Sequence, residues 1–367
     1  QYKYAGTTVA MGKSNIAYVE GEGVGGGSEI NSGLYHRTPK EVLKQWQHEF
    51  GLLLFDNTEL EKYFSYIEKK LSISFFPNGL VPKASLILEK GAKKLGWSVQ
   101  ELPRWFKYND SKTINGKKMT MTNTYLKEYL RNGGEIYELS KVNKLKKRNN
   151  NWLVDYNTIN GKNSILSKNV ILSAGTIGTA QILKNSHLSK IAGRRFQMHP
   201  TIKVVALFEK KINQKDMGVP VHQVREFAPD FSFGCSISSK RYLRIAMLDH
   251  PNSNGLVDKH WENMAIYYSM IVPEGSGSIR KFPFFNDPFI TYDLTNKDME
   301  NLSKGLKKLC ELLLSAGAKS LYPSIQGSQS ISDLNGVQQL PNIINPSKTS
   351  LMTVHLFSSC PIGEKKD

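Results

Sequence analysis

The chain has 367 residues, 40% of them apolar, which is enough to bury a sizeable core in two domains or one large mixed one. Its 49 Lys and Arg outnumber 32 Asp and Glu, giving a net charge of +17. The lysines are nevertheless scattered, as in KVNKLKKRNNNW, with no zinc-finger spacing or aromatic RNA-binding signature, so a solvated basic surface is the reading preferred over nucleic-acid binding. Three cysteines, Cys235, Cys310 and Cys360, argue against a disulfide framework and suit a reducing compartment, so a cytoplasmic location is the expectation.

In chain order, NIAYVE (15–20) reads as a short strand. It runs into EGEGVGGGSEINSGLYHRTP (20–39), which holds glycines at 21, 23, 25, 26, 27 and 33. Val42, Leu43, Trp46 and Phe50 recur at helical spacing, and NTELEKYFSYIEKKL follows, with Asn57 as the expected N-cap. KASLILEKGAKKLGW reads as an amphipathic helix stopped by Gly96, and TNTYLKEYLRNGG as another stopped by Gly133 and Gly134. EIYELSKVNKLKK and NWLVDYNT alternate like antiparallel partners. GKNSILSK continues them, and the apolar run at 169–173 predicts a further strand before the helix TAQILKNS. Between 201 and 295, TIKVVALFE, FSFGCSISS, RYLRIAML, NMAIYYSMIV, GSGSIRKF and PFITYDL predict an antiparallel sheet. KDMENLSKGLKKLCELLLSAGA is a long amphipathic helix ending at Gly317. No apolar run approaches the roughly 20 residues of a transmembrane helix. His187 and His199 are too far apart to share a helical turn, so no metal site is expected.

Each glycine placed needlessly in an ordered element costs roughly 0.5–1 kcal/mol, so a cluster of six implies a use. Glycine lets main chain approach a phosphate or a flat ring closely. Gly21 to Gly26 fit the bare G-x-G-x-x-G spacing of a dinucleotide fingerprint. That fingerprint needs a helix after it, and GSEINSGLYHRTP is a poor one, so the loop has another purpose.

VGGGSEINSGLYHRTP resembles the first signature of the glucose–methanol–choline (GMC) family of flavin oxidoreductases, a loop that runs along the pyrophosphate and flavin of FAD. The resemblance implies cofactor contacts at Gly26, Gly27, Ser28, Asn31, Ser32 and Leu34. In residue terms, the glycines give close approach, Ser28 can donate to phosphate and Asn31 offers an amide. NVILSAGTIGTAQILKNSHL resembles the family's second signature and implies contacts at Ser173, Ala174 and Gly175, where a strand end meets a helix start. Ala180 replaces a common proline without loss. Val142 lies on a strand similar to the one that contacts adenine through its backbone. FQMHPTIKVVALF carries the HP pair that opens the substrate-domain strand, and His199 is taken there as structural rather than functional. LMTVHLFSSCPIGEKKD resembles the family's H-x-x-G-T-C-x-M-G segment, with Ser358, Ser359 and Ile362 as departures. It implies that His355 is the active-site histidine. A neutral imidazole can take the hydroxyl proton while hydride leaves the carbon for the flavin.

The expected fold class is therefore α/β (α+β overall): a discontinuous Rossmann-like FAD domain from 1–39, 131–200 and 346–367, and an antiparallel-sheet substrate domain from 40–130 and 201–345. The expected activity is FAD-dependent oxidation of a CH–OH group in a small-molecule alcohol, sugar or choline-like substrate, with the electron acceptor left open. Two alternatives stand beside it: a lyase of the same family, and a basic nucleic-acid-binding protein. Ile30 occupies the position at which some relatives attach FAD through histidine, so non-covalent FAD is expected. The opening without Met and the stop at Asp367 suggest a fragment. On that expectation the first β-α-β unit and a second active-site His or Asn lie outside it, and the piece alone is inactive.

Overall fold

The structure is a computed structural model that describes residues 2–6, 8–53, 55–77, 79–108, 116–253, 255–282, 285 and 287–362. Its frame is a nine-stranded mixed sheet. The strands are β1 (Thr8–Ala10), β2 (Ile16–Tyr18), β3 (Val99–Glu101), β4 (Thr201–Phe208), β5 (His222–Val224), β6 (Phe231–Cys235), β7 (Met264–Ile271), β8 (Ala318–Pro323) and β9 (Leu351–Thr353). The order is β1-β2-β9-β4-β7-β6-β5-β3, with β8 also paired to β4. All pairs are antiparallel except β2 with β9, which run parallel with Tyr18 opposite Thr353. Strands from the first 39 residues and from beyond residue 345 thus share a sheet with those from 201–323. The division into two domains remains a proposal.

Three helices matter most: α1 (Lys83–Lys94), α2 (Gly175–Asn185) and α3 (Asn296–Ser315). Thr295 and Asp298 open α3 with a reciprocal capping box, the Thr295 hydroxyl accepting from the Asp298 N–H at 3.1 Å. Leu302, Leu306, Leu309 and Leu313 form one buried stripe at helical spacing. The stripe belongs to the same core as Ile202, Val204 and Ala206 of β4 and Ala265 and Tyr267 of β7. Gly305 lets the helix axis come close, since a Cβ there would stand 2.2 Å from Ser269 Oγ. Strand alternation sends Thr201, Lys203, Val205 and Leu207 to the other face. The far half of that face, with Val205, Ile266 and Met264, is sealed under the helices Lys240–Ala246 and Leu256–His260.

Several expectations are corrected. RYLRIAML is not a strand. Leu243, Ile245 and Met247 fit a period of two, but Leu243, Ala246 and Met247 fit a helix, and Ser239 accepts from the Tyr242 N–H to start one. Residues 169–173 pair with no strand among the described residues, and Ile171 is 90% exposed. The strand expected from Glu135 begins only at Lys141, because Leu139 takes a left-handed φ of 52°. Asp56, not Asn57, is the N-cap of Asn57–Lys70, its carbonyl accepting from the Leu60 N–H at 3.0 Å. The helix expected from Thr179 starts earlier, at Gly175.

Candidate active site

Parallel pairing of β2 and β9 makes both strands leave the sheet at the same end, so the chain segments that follow them emerge together. After β2 comes the glycine loop, and after β9 comes His355. Ligands of open sheets with parallel strands bind beyond the carboxyl ends of the strands, so this edge is the place to look.

The glycine loop is held from below. The Ser28 hydroxyl donates to the Gly25 carbonyl at 2.6 Å and accepts from the Met121 N–H at 3.1 Å, and Thr122 donates to the Glu29 carboxylate at 2.7 Å. Ser28 is thus buried and committed inward, which corrects the expectation that it donates to a phosphate. Lys118 Nζ donates to the Asn31 carbonyl at 2.5 Å, and Asn31 Oδ1 accepts from the Gly33 N–H at 3.1 Å, while the amide nitrogen of Asn31 has no partner among the described residues. Asn31 and Ser32 are exposed and Leu34 is half-buried. Gly26 has φ 54° and ψ −139°, a conformation essentially reserved for glycine. A Cβ built on Gly26, Gly27 or Gly175 meets nothing within 4 Å, so the main chain there borders open space. Bare, loop-borne backbone facing a void fits a dinucleotide cofactor.

Ser173, Ala174 and Gly175 are exposed at the start of α2. That helix start is tied to the His355 segment. Thr176 Oγ1 donates to the Leu356 carbonyl at 2.7 Å and Ser359 Oγ donates to the Thr176 carbonyl at 2.6 Å. The departure of Ser359 from the family pattern therefore keeps a hydroxyl in use. Val142 is half-buried in the meander formed by Lys141–Arg148, Asn151–Thr158 and Gly161–Ser167. No hydrogen bond links it to the glycine loop or to His355.

His355 and His199 meet with Nδ1 atoms 3.1 Å apart and rings perpendicular at 85°. The His199 ring also lies 4.7 Å from that of Phe357. Thr353 fixes the turn, its hydroxyl accepting from the His355 N–H at 3.1 Å. Burial, reinforced by His355, pushes the pKa of His199 down to about 4. Burial also lowers that of His355, which is open to solvent on one side and hemmed in by protein elsewhere. His36, exposed in the glycine loop segment, is close enough to feel the charge of His355. Its pKa falls through desolvation, then through Arg225 and His355. Sequence reading missed His36, although it lies inside the glycine signature, and underrated His199. Among the described residues, no three His, Cys, Asp or Glu side chains are placed to hold a metal. A separate cavity of about 830 Å³, lined by Lys144, Lys162, Lys184, Arg280 and Lys281 among others, contains none of these histidines or glycines.

Residues 2–201 match the family model for GMC oxidoreductase. Over its whole length the chain is 31% identical to the uncharacterized GMC-type oxidoreductase y4nJ of Sinorhizobium fredii, covering 75% of that protein. The chain belongs to the GMC oxidoreductase family. Other family relatives include an uncharacterized GMC-type oxidoreductase of Mycobacterium tuberculosis, 24% identical over 99% of this chain and 59% of the relative. A long-chain-alcohol oxidase of Arabidopsis thaliana is 22% identical over 86% of this chain and 47% of that protein. The fold is that of pyridoxine 4-oxidase from Mesorbium loti, with a TM-score of 0.70 over 98% of this chain and 78% of that one at 15% identity. It is also that of an Aspergillus oryzae formate oxidase studied for FAD modification, with a TM-score of 0.63 over 83% and 69% at 13% identity. Membership makes this a flavoprotein oxidoreductase that uses FAD.

Proposed function

We propose that this GMC oxidoreductase oxidises a CH–OH group of a small-molecule alcohol, with His355 as the general base and FAD held without a covalent link. The observation that carries this reading is the His355–His199 contact of 3.1 Å at the edge where β9 and the glycine loop emerge. Bound FAD supplies the hydride acceptor. Gly26, Gly27, Asn31, Ser32 and Leu34 would hold it on one side and Ser173, Ala174 and Gly175 on the other. Ile30, the last residue of a short helical turn, has no nucleophilic atom with which to form a bond to it.

Between two Nδ1 atoms one proton is shared. If it sits on His355 and is donated to His199, Nε2 of His355 keeps a lone pair for the substrate hydroxyl. A His199 with a pKa near 4 stays neutral throughout, so it remains an acceptor when His355 takes up a second proton at Nε2. His199 thus orients the base and steadies its charged form.

Anaerobic mixing of the holoenzyme with alcohols tests the reading. The flavin absorbance should bleach. Because the pKa of His355 is lowered, its neutral form persists below pH 6.5, the ordinary histidine value. The bleaching rate should therefore be level above pH 6.5 and fall only at more acidic pH. A flavin that stays oxidised with every alcohol, while the enzyme turns substrate over, would point to a lyase.

A further inference from the structure

The open half of the sheet face carries a row of polar side chains that the reaction does not use. Register places Lys203 of β4 opposite Tyr268 of β7, Tyr268 opposite Gly234 of β6, and Gly234 opposite Gln223 of β5. All four therefore share one face in one line across four strands. The neighbouring row, Met352, Thr201, Met270 and Ser232, lies nearer the histidines. Most of these side chains are half-buried, whereas Val205 and Ile266 farther along the same face are sealed at 1% and 2% exposure. The face is thus closed at one end and open at the end where the histidines stand.

Three polar groups without a protein partner among the described residues lie in that line, one sealed from solvent and two on half-buried residues. The Lys203 ammonium has no hydrogen-bond or ion-pair partner among the described residues, and burial alone pulls its pKa down to about 8. Gln223 Oε1 is buried with no partner. The Tyr268 phenol lies across Gly234, where a Cβ would stand 2.3 Å from its Oη, so the hydroxyl is carried toward the β5 side. It too has no partner among the described residues. An anionic acceptor group on a ligand would take hydrogen bonds from the Lys203 ammonium and the Tyr268 hydroxyl, while the buried Gln223 Oε1, itself an acceptor, calls for a donor on the same ligand. Lys203 stands four residues after His199, about 13 Å along an extended chain.

We propose that Lys203, Tyr268 and Gln223 form the substrate-recognition subsite and select alcohols that carry a carboxylate remote from the reacting carbon over plain alkyl alcohols. This deepens the CH–OH oxidation reading and rests on it. It departs from the alkyl preference that kinship with long-chain-alcohol oxidases would suggest.

Two measurements on the holoenzyme test it. Calorimetry with adipate, a redox-inert dicarboxylate, reads the subsite without turnover. Adipate should bind the parent. Lys203→Met should weaken it by roughly 10-fold or more, the range of a charged hydrogen bond, and Lys203→Arg should restore most of it. The ratio of kcat/KM for 6-hydroxyhexanoate over 1-hexanol should favour the acid by at least about tenfold in the parent and collapse toward one in Lys203→Met. If adipate fails to bind, or binds Lys203→Met as well as the parent, the subsite assignment is overturned. If 1-hexanol is oxidised as readily as the acid, the assignment is overturned while the oxidation reading stands. Adipate binding that depends on Lys203, with no alcohol bleaching the flavin, would uphold the anion site and overturn its assignment to alcohol selection together with the oxidation reading.

Discussion

Replacing His355 by alanine should slow alcohol-dependent flavin reduction by about 100- to 10,000-fold, the range spanned by a positioned general base. The change removes Nε2 of His355, the nitrogen of that ring left open while Nδ1 is engaged by His199. It spares the glycine loop, whose supports come from Ser28, Lys118, Met121 and Thr122. The loss should fall on kcat more than on KM, because the base acts as the proton moves. Stopped-flow reduction under anaerobic conditions measures it. A variant within about threefold of the parent rate would mean that the proton leaves by another route. His199→Phe should cost less, since the base survives without its orienting acceptor.

Asp298→Ala should be the most damaging of the conservative-looking core changes. Asp298 is 1% exposed, yet it makes no ion pair among the described residues. Its Oδ1 accepts from the Glu274 N–H at 2.8 Å, and its Oδ2 accepts from the Gly275 N–H at 3.0 Å and the Thr295 N–H at 2.9 Å. One side chain therefore caps α3 and pins the loop at the end of β7. Alanine would strand three donors in a dry interior. At roughly 1–3 kcal/mol per unsatisfied group, offset by relaxation and water entry, the loss should be about 3–5 kcal/mol. Denaturant unfolding measures it, with Asp298→Asn expected to lose about half as much because it keeps one acceptor. A shift below about 1 kcal/mol would show that the loop finds other partners.

How far the sequence could be read depended on whether a signal was local. The α3 stripe and its cap lie within one stretch, and so do the glycine loop and the motif around His355. The parallel pairing that brings the last two together does not, since Ile16 meets Leu351 from the opposite end of the chain. His199 looked structural because an isolated HP pair has no periodicity, and only the fold places His355 beside it. His36 sat in plain view among the glycines with no neighbour in sequence to mark it. Lys203 is a single charge within TIKVVALF, a run that otherwise reads as core, and its face becomes visible only through the register with Tyr268 and Gln223. RYLRIAML satisfied two periods at once, and the cap at Ser239 decided between them. At 169–173 composition favoured a strand, but a strand needs a partner, and none of the described residues supplies one.

Acid precipitation of the purified holoenzyme, followed by FAD quantification in the supernatant, tests most directly whether the glycine loop from Gly26 to Leu34 serves a flavin. One FAD per chain should be released into solution, leaving a colourless pellet. A preparation that carries no flavin and takes none up when FAD is added would contradict the account.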